Sequence, residues 1–268
     1  MSYFTAPDGT ELFYRDYGAG RPVVFIHSML MSSDMWQPQM LHLAGHGFRA
    51  VAYDRRGHGR SDDPGKGYDF DTLADDLAEL LDRLDLTDVT LVGHSMGGGE
   101  VIRYLSRHGS DRIARIVLAG ATAPYLGVDP DLADAVLGQL RTGYARWVED
   151  NASLSFGDGL PGNDIPQLAK EATIRDWMRV SRHAAVECTR NNLAADFRAE
   201  ESRITVPALV IHGDHDAFAP LEICGQRSAE LIPDSKLVIY PNASHMLHLS
   251  HSEQLSGDLL EYAAWSQP

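Results

Sequence analysis

Gly93-His94-Ser95-Met96-Gly97 sets a serine between two glycines, directly after the apolar run Val89 to Val92 and before the helical stretch Gly99 to Arg107. In a strand–turn–helix context this spacing puts the serine on a strained turn that lifts its hydroxyl clear of a sheet. The glycines remove Cβ atoms that would strike neighbouring backbone. A serine at its ordinary pKa is a weak nucleophile, so it needs a histidine base and an acid that orients that base. Twelve histidines are available. His94 adjoins Ser95, but consecutive residues on so tight a turn point apart, which gives His94 a structural or pocket-lining role. His245, in Tyr240-Pro-Asn-Ala-Ser-His-Met-Leu-His248, follows the last apolar run. A loop beyond the carboxyl end of a parallel strand is where sites form in open α/β sheets. His248 falls on the next helix or its approach. Val210-Ile-His-Gly-Asp-His-Asp216 offers two acids, Asp214 and Asp216. One can hold its turn by local hydrogen bonds while the other orients the base, and Asp216 is assigned the second role. Such a set performs acyl transfer. The charge developing on the carbonyl oxygen then needs backbone donors, of which the N–H of Met96 is one.

These residues require strands to deliver them. Short apolar runs recur at Pro22 to Ile26, Arg49 to Tyr53, Val89 to Val92, Ile113 to Leu118, Pro207 to Ile211 and Lys236 to Tyr240. Each is apolar on both parities, as in strands of a parallel sheet covered on both faces. Asp8-Gly9 ahead of Glu11 to Asp16 reads as the bend of an antiparallel hairpin at one edge. Between the runs lie helical patterns, the clearest from Thr72 to Leu84, with Thr72-x-x-Asp75 as its cap. The fold class is therefore α/β with a mainly parallel central sheet flanked by helices. Alternation stops over 121–203, where helical stretches appear at Leu132 to Val148, Ile165 to Arg179 and His183 to Leu193. The chain divides into a first core part, 1–120, a helical insertion, 121–203, and a second core part, 204–268. Two extra crossover helices with long loops are the other arrangement.

Six segments are shared with one family: Phe25-Ile-His27, Tyr53-Asp-Arg-Arg-Gly-His-Gly-Arg-Ser61, Asp75-Asp-Leu77, Leu91-Val-Gly-His-Ser-Met-Gly-Gly-Gly99, Val210 to Asp216 and Ala243-Ser-His245. On them the chain resembles the α/β-hydrolase superfamily, and more narrowly its cofactor-free haloperoxidase and aryl-esterase group. The chain order Ser95, Asp216, His245 is the order of that fold. The resemblance implies that Asp216, four residues before Pro220, is the triad acid, that the N–H of Met29 is the second oxyanion donor, and that 121–203 form a cap. It implies no metal and no cofactor. Two departures stand out. His27-Ser28 replaces the usual His-Gly, and Leu30 stands where members that use peroxide well carry proline, which favours hydrolysis.

The remaining composition mostly excludes. Lys+Arg 23 against Asp+Glu 38 leaves a net charge of −15, so a nucleic-acid partner and an anionic membrane surface are both disfavoured. No run reaches the roughly 18 apolar residues of a spanning helix. Two cysteines make no disulfide framework and point to a reducing cytoplasm, and no signal peptide is visible at the amino terminus. Asn242-Ala-Ser244 is a glycosylation sequon of the kind that arises by chance. His212-x-x-His215 lacks the geometry of a metal motif, and the glycine-rich segments match no nucleotide loop. Met29, Met96 and Met246 adjoin the proposed catalytic elements and suggest a soft apolar acyl pocket. Ser28, Leu30, Tyr125, Trp147 and Phe218 are expected on its wall, joined by Trp177 and Phe156. The expected activity is hydrolysis of small carboxylic esters or lactones. Perhydrolase or haloperoxidase activity at the same site and lactam hydrolysis are the alternatives. A small-ligand receptor with a slow triad is the competing class. Monomer and homo-oligomer both stay open.

Overall fold

Alternate side chains of the central strands face opposite sides of one sheet, and each side meets its own layer of helices. The computed structural model describes residues 2–265. Position 1 of the first core part and 266–268 of the second lie outside the described residues. The strands are β1 (Ser2–Thr5), β2 (Glu11–Gly18), β3 (Pro22–Ile26), β4 (Arg49–Tyr53), β5 (Val89–His94), β6 (Ile113–Ala119), β7 (Ala208–Gly213) and β8 (Ser235–Tyr240). They lie in the order β1-β2-β4-β3-β5-β6-β7-β8. β1 and β2 pair antiparallel, β2 pairs antiparallel with β4, and all later pairs are parallel. The hairpin bend is held by Asp8, whose carboxylate accepts from the Thr10 N–H at 3.1 Å and its hydroxyl at 2.6 Å.

The helices are α1 (Gln37–Gly45), α2 (Phe70–Arg83), α3 (Met96–His108), α4 (Pro130–Phe156), α5 (Gln167–Trp177), α6 (Arg182–Ala194), α7 (Arg198–Glu201), α8 (Gly225–Leu231), α9 (Leu247–Ser250) and α10 (Ser252–Ala264). Val24, Ile26, Leu91, Ile116 and Leu118 share a buried cluster with Leu73, Leu77, Val101 and Ile102 of α2 and α3. Their neighbours Val23, Phe25, Val92, Val117 and Ile211 join Met40, Leu43, Leu255 and Leu259 of α1 and α10. Period-2 alternation within these largely apolar strands thus feeds two cores, and the hydrophobic effect secures both faces.

Two helix starts differ from expectation. The α2 cap is Asp69, in extended conformation, whose carboxylate accepts from the Thr72 N–H at 2.9 Å. Thr72 lies inside the helix, because an aspartate three residues earlier already satisfies that donor. Helix α3 begins at Met96, not at Gly99. Glycines disfavour a helical first turn, but Met96, Gly97 and Gly98 are buried against the sheet, and packing overrides propensity.

Between β6 and β7 the chain forms α4 to α7. Helix α4 is longer than its periodicity suggests and breaks at Gly143 (φ −145, ψ 47). Buried Leu140, Tyr144, Val148, Phe156, Trp177 and Val180 belong to the same cluster as the α1 and α10 core. No helix among the described residues is long and apolar enough to cross a membrane.

Candidate active site

Ser95 stands between the end of β5 and the start of α3 with φ 56 and ψ −124, a positive φ that non-glycine residues seldom adopt. The close approach of strand and helix forces the flanking residues to be glycine. A Cβ on Gly93 would sit 2.4 Å from the Gly97 carbonyl oxygen, and one on Gly97 would sit 2.7 Å from that of Ile26. The strain, on the order of 1–3 kcal/mol, is carried by the buried elements on either side.

The loops after β7 and β8 bring two further groups to this serine. His245 Nε2 lies 2.9 Å from Ser95 Oγ, and His245 Nδ1 lies 2.7 Å from Asp216 Oδ2. Asp216 is aimed by its other oxygen, Oδ1, which accepts from the N–H groups of Phe218 (3.0 Å) and Ala219 (2.9 Å). Asp214 is exposed and meets His215 instead, at 2.8 Å. His212 is buried with Nε2 2.6 Å from the Ala219 carbonyl, so it braces the acid loop, and it does not converge with exposed His215. His94 donates from Nε2 to the carbonyl of His245 at 2.9 Å and thereby holds the base loop. His248 is on α9, buried, and contacts neither Ser95 nor Asp216. Burial pushes the imidazoles of His94 down and those of His58 and His248 to about 4 and about 3. Held so low, these rings keep their neutral form near pH 7, and His94 and His58 keep their contacts to the carbonyls of His245 and Met29.

The loop after β3 is gripped from one side. Arg55 and Glu100 form an ion pair at 2.9 Å with both side chains wholly buried. Arg55 also donates to the carbonyls of His27 (2.9 Å) and Ser28 (3.5 Å). His27 Nε2 accepts from the Arg55 N–H at 2.9 Å, which leaves its Nδ1–H to donate to Ser28 O at 2.6 Å. His58 Nε2 meets the carbonyl of Met29. A trans peptide directs its C=O and N–H oppositely, so holding the Ser28 carbonyl turns the Met29 N–H away from this cluster. Neither the Met29 nor the Met96 N–H has an acceptor among the described residues. Burial brings the Arg55 guanidinium down to about 10, still charged at neutral pH. Arg55→Met therefore strands a buried carboxyl and loses about 3–5 kcal/mol in urea unfolding. The double variant Arg55→Met/Glu100→Leu regains most of that loss.

A cavity of about 210 Å³ opens over Ser95 and His245. Its size is modest, somewhat above the ~150 Å³ void that accommodates benzene. Ser28, Met29, Leu30, Trp147, Phe218 and Met246 line it as expected, with Trp177. Tyr125 does not: it is 37% exposed and lies under the Arg198 guanidinium, 4.7 Å from ring centre to Cζ. The residue that reaches the wall from this segment is Leu126. Phe156 is also absent from the wall and stacks behind it on Trp177 at 5.4 Å. Met96 is fully buried in the α2/α3 core, so it offers its backbone and not its side chain. Thr122, Val136, Asn151, Ser155, Thr189, Asn192 and Leu193 complete the wall. No local pattern singles these out, since they are ordinary helix and loop residues until folded. A larger hollow, about 650 Å³, lies by Lys236, Asp258 and Trp265 and is lined by none of Ser95, Asp216 and His245.

A mainly parallel sheet with a serine on a strand-to-helix turn, and with an acid and a histidine from later strand ends, defines a class of proteins. Residues 21–252 match the family model described as alpha/beta hydrolase fold, and the chain belongs to that family. A non-heme chloroperoxidase of Kitasatospora aureofaciens is 40% identical over 272 residues, which cover 98% of this chain and 99% of that one. A bifunctional esterase/perhydrolase of Acinetobacter calcoaceticus is 35% identical, covering 98% and 99%. The solved structure of an esterase from Exiguobacterium antarcticum superposes with a TM-score of 0.93 at 29% identity, covering 98% and 99%. Within the family, the chain thus falls in the non-heme haloperoxidase and esterase group.

Proposed function

We propose that the chain is a serine hydrolase of small carboxylic esters, lactones included, acting through an acyl-enzyme. The observation that carries the reading is the chain of hydrogen bonds from Asp216 to His245 (2.7 Å) to Ser95 (2.9 Å) beside the cavity. His245 Nε2 takes the hydroxyl proton as Ser95 Oγ attacks the carbonyl carbon. Asp216 stabilises the imidazolium, and the N–H groups of Met29 and Met96 receive the developing oxyanion. The imidazolium then protonates the departing alcohol, and His245 next activates a water that releases the acid. Peroxide entering in place of that water gives a peracid at the same site. The similarity to an esterase/perhydrolase supports this as a side activity. We assign 121–203 as a cap because Val136, Trp147, Trp177 and Asn192 form much of the wall facing Ser95. Buried, unpaired Cys188 and Cys224 favour a cytoplasmic, reducing setting.

A fluorophosphonate probe tests the assignment directly. Mass spectrometry is expected to find one label per chain on Ser95, with labelling of His245→Ala at least about a hundredfold slower. Labelling elsewhere, or at an unchanged rate in that variant, contradicts the proposed nucleophile and base.

A further inference from the structure

Several polar groups on the cavity wall spend their protons on their own helices. Ser155 Oγ donates to Asn151 O at 2.8 Å, Thr189 Oγ1 to Ala185 O at 2.7 Å, and Asn151 Nδ2 to Trp147 O at 2.8 Å. Asn192 on α6 behaves differently. Its Oδ1 accepts the Thr122 hydroxyl at 2.7 Å, while its Nδ2 has no acceptor among the described residues. Both residues are 8% exposed and line the cavity. Thr122 is itself fixed beside the nucleophile, since its N–H donates to the Ser95 carbonyl at 3.3 Å. An amide oxygen committed to Thr122 turns the remaining two N–H donors into a preset hydrogen-bonding group on the wall of a largely apolar, half-open cavity. A donor left unmatched there costs more than one on the surface.

We propose that Thr122 and Asn192 form a subsite that selects esters or lactones carrying a second, hydrogen-bond-accepting oxygen a few atoms from the scissile carbonyl, such as an ether or keto oxygen. This rests on the ester-hydrolase reading. A purely alkyl substrate of the same shape fills the cavity and leaves the amide unpaired; an oxygenated one satisfies it. Thr122 acts as the positioning residue that keeps the donor side of Asn192 turned inward.

The test uses isosteric pairs that exchange one CH2 for an oxygen: ethyl methoxyacetate against ethyl butanoate on the acyl side, and methoxyethyl acetate against butyl acetate on the alcohol side. Each kcat/KM is divided by the rate of hydroxide hydrolysis, so intrinsic reactivity cancels. The wild type is expected to favour the oxygenated member of one pair by about tenfold. Asn192→Leu brings that ratio to about one, and Asn192→Asp, similar in size but without the donors, brings it to one or below. Thr122→Val lowers it part-way. The ratio reports discrimination and not overall activity, and Asn192→Asp carries the test where the leucine variant fails to fold. A wild-type ratio near one in both pairs overturns the subsite and leaves the hydrolase reading standing, as does a ratio unchanged in the Asn192 variants. Failure of the wild type to hydrolyse any member overturns both.

Discussion

Ser95→Ala is expected to lower kcat for p-nitrophenyl butyrate by about 10⁶-fold, with circular dichroism and melting temperature close to wild type. The effect is large because the hydroxyl oxygen is the atom that bonds to the acyl group, and no neighbour can take its place. His245 would remain hydrogen-bonded to Asp216 and aimed at the empty position, as its 2.7 Å contact does not depend on the serine. Stability changes little because alanine must adopt the same φ of 56, so the backbone strain of the turn is kept. Ser95→Gly relieves that strain and is the control: equally inactive, it should be more stable by about 1 kcal/mol. Steady-state hydrolysis of the purified variant decides the matter. Activity within tenfold of wild type would mean that the nucleophile lies elsewhere.

Asp216→Asn should cost about 10⁴-fold in kcat with little change in KM, and the local geometry explains why. Oδ1 of Asp216 accepts from two backbone N–H groups, Phe218 at 3.0 Å and Ala219 at 2.9 Å. An asparagine satisfies those donors only by placing its carbonyl oxygen there, which points its NH2 at His245. Nδ1 must then act as acceptor and the ring proton moves to Nε2, facing Ser95. In that tautomer the base cannot take the serine proton. Asp214→Asn supplies the contrast. Its carboxylate is exposed and engaged only with His215, so kcat should stay within about twofold. Parallel kcat and KM measurements on the two variants distinguish them; equal losses would remove the assigned acid.

The features legible before folding share a local origin. Gly93 follows from a clash with Gly97 four positions on, though Gly97 itself is also required by the Ile26 carbonyl on the neighbouring strand, and the inner strand runs follow from burial on both faces. Hence β3 to β7 and the turn that carries Ser95 could be read from neighbours in the chain, and β8, half-exposed at the sheet edge, from its apolar run. One miss was itself local: Thr72 yielded the α2 cap to Asp69, three residues earlier. The others had non-local causes, and α3 started at Met96 because packing outweighed the poor helix propensity of its glycines. Tyr125 looked like a wall residue from its aromatic type, yet the fold turns it outward to Arg198. The grip of Arg55 on the loop after β3 lay within a quoted motif, but its partner Glu100 is 45 residues away.

By itself the sequence determined which residues could react, the order in which strands would carry them, and the family to which the chain belongs. Those depend on residue type and short-range periodicity. Only the tertiary structure decided that Oγ of Ser95 and Nε2 of His245, 150 residues apart, stand at 2.9 Å, and which side chains close the 210 Å³ space above them. Such contacts arise where separate crossovers pack against one sheet, and their energies come from desolvation and distance between groups that the linear order keeps far apart.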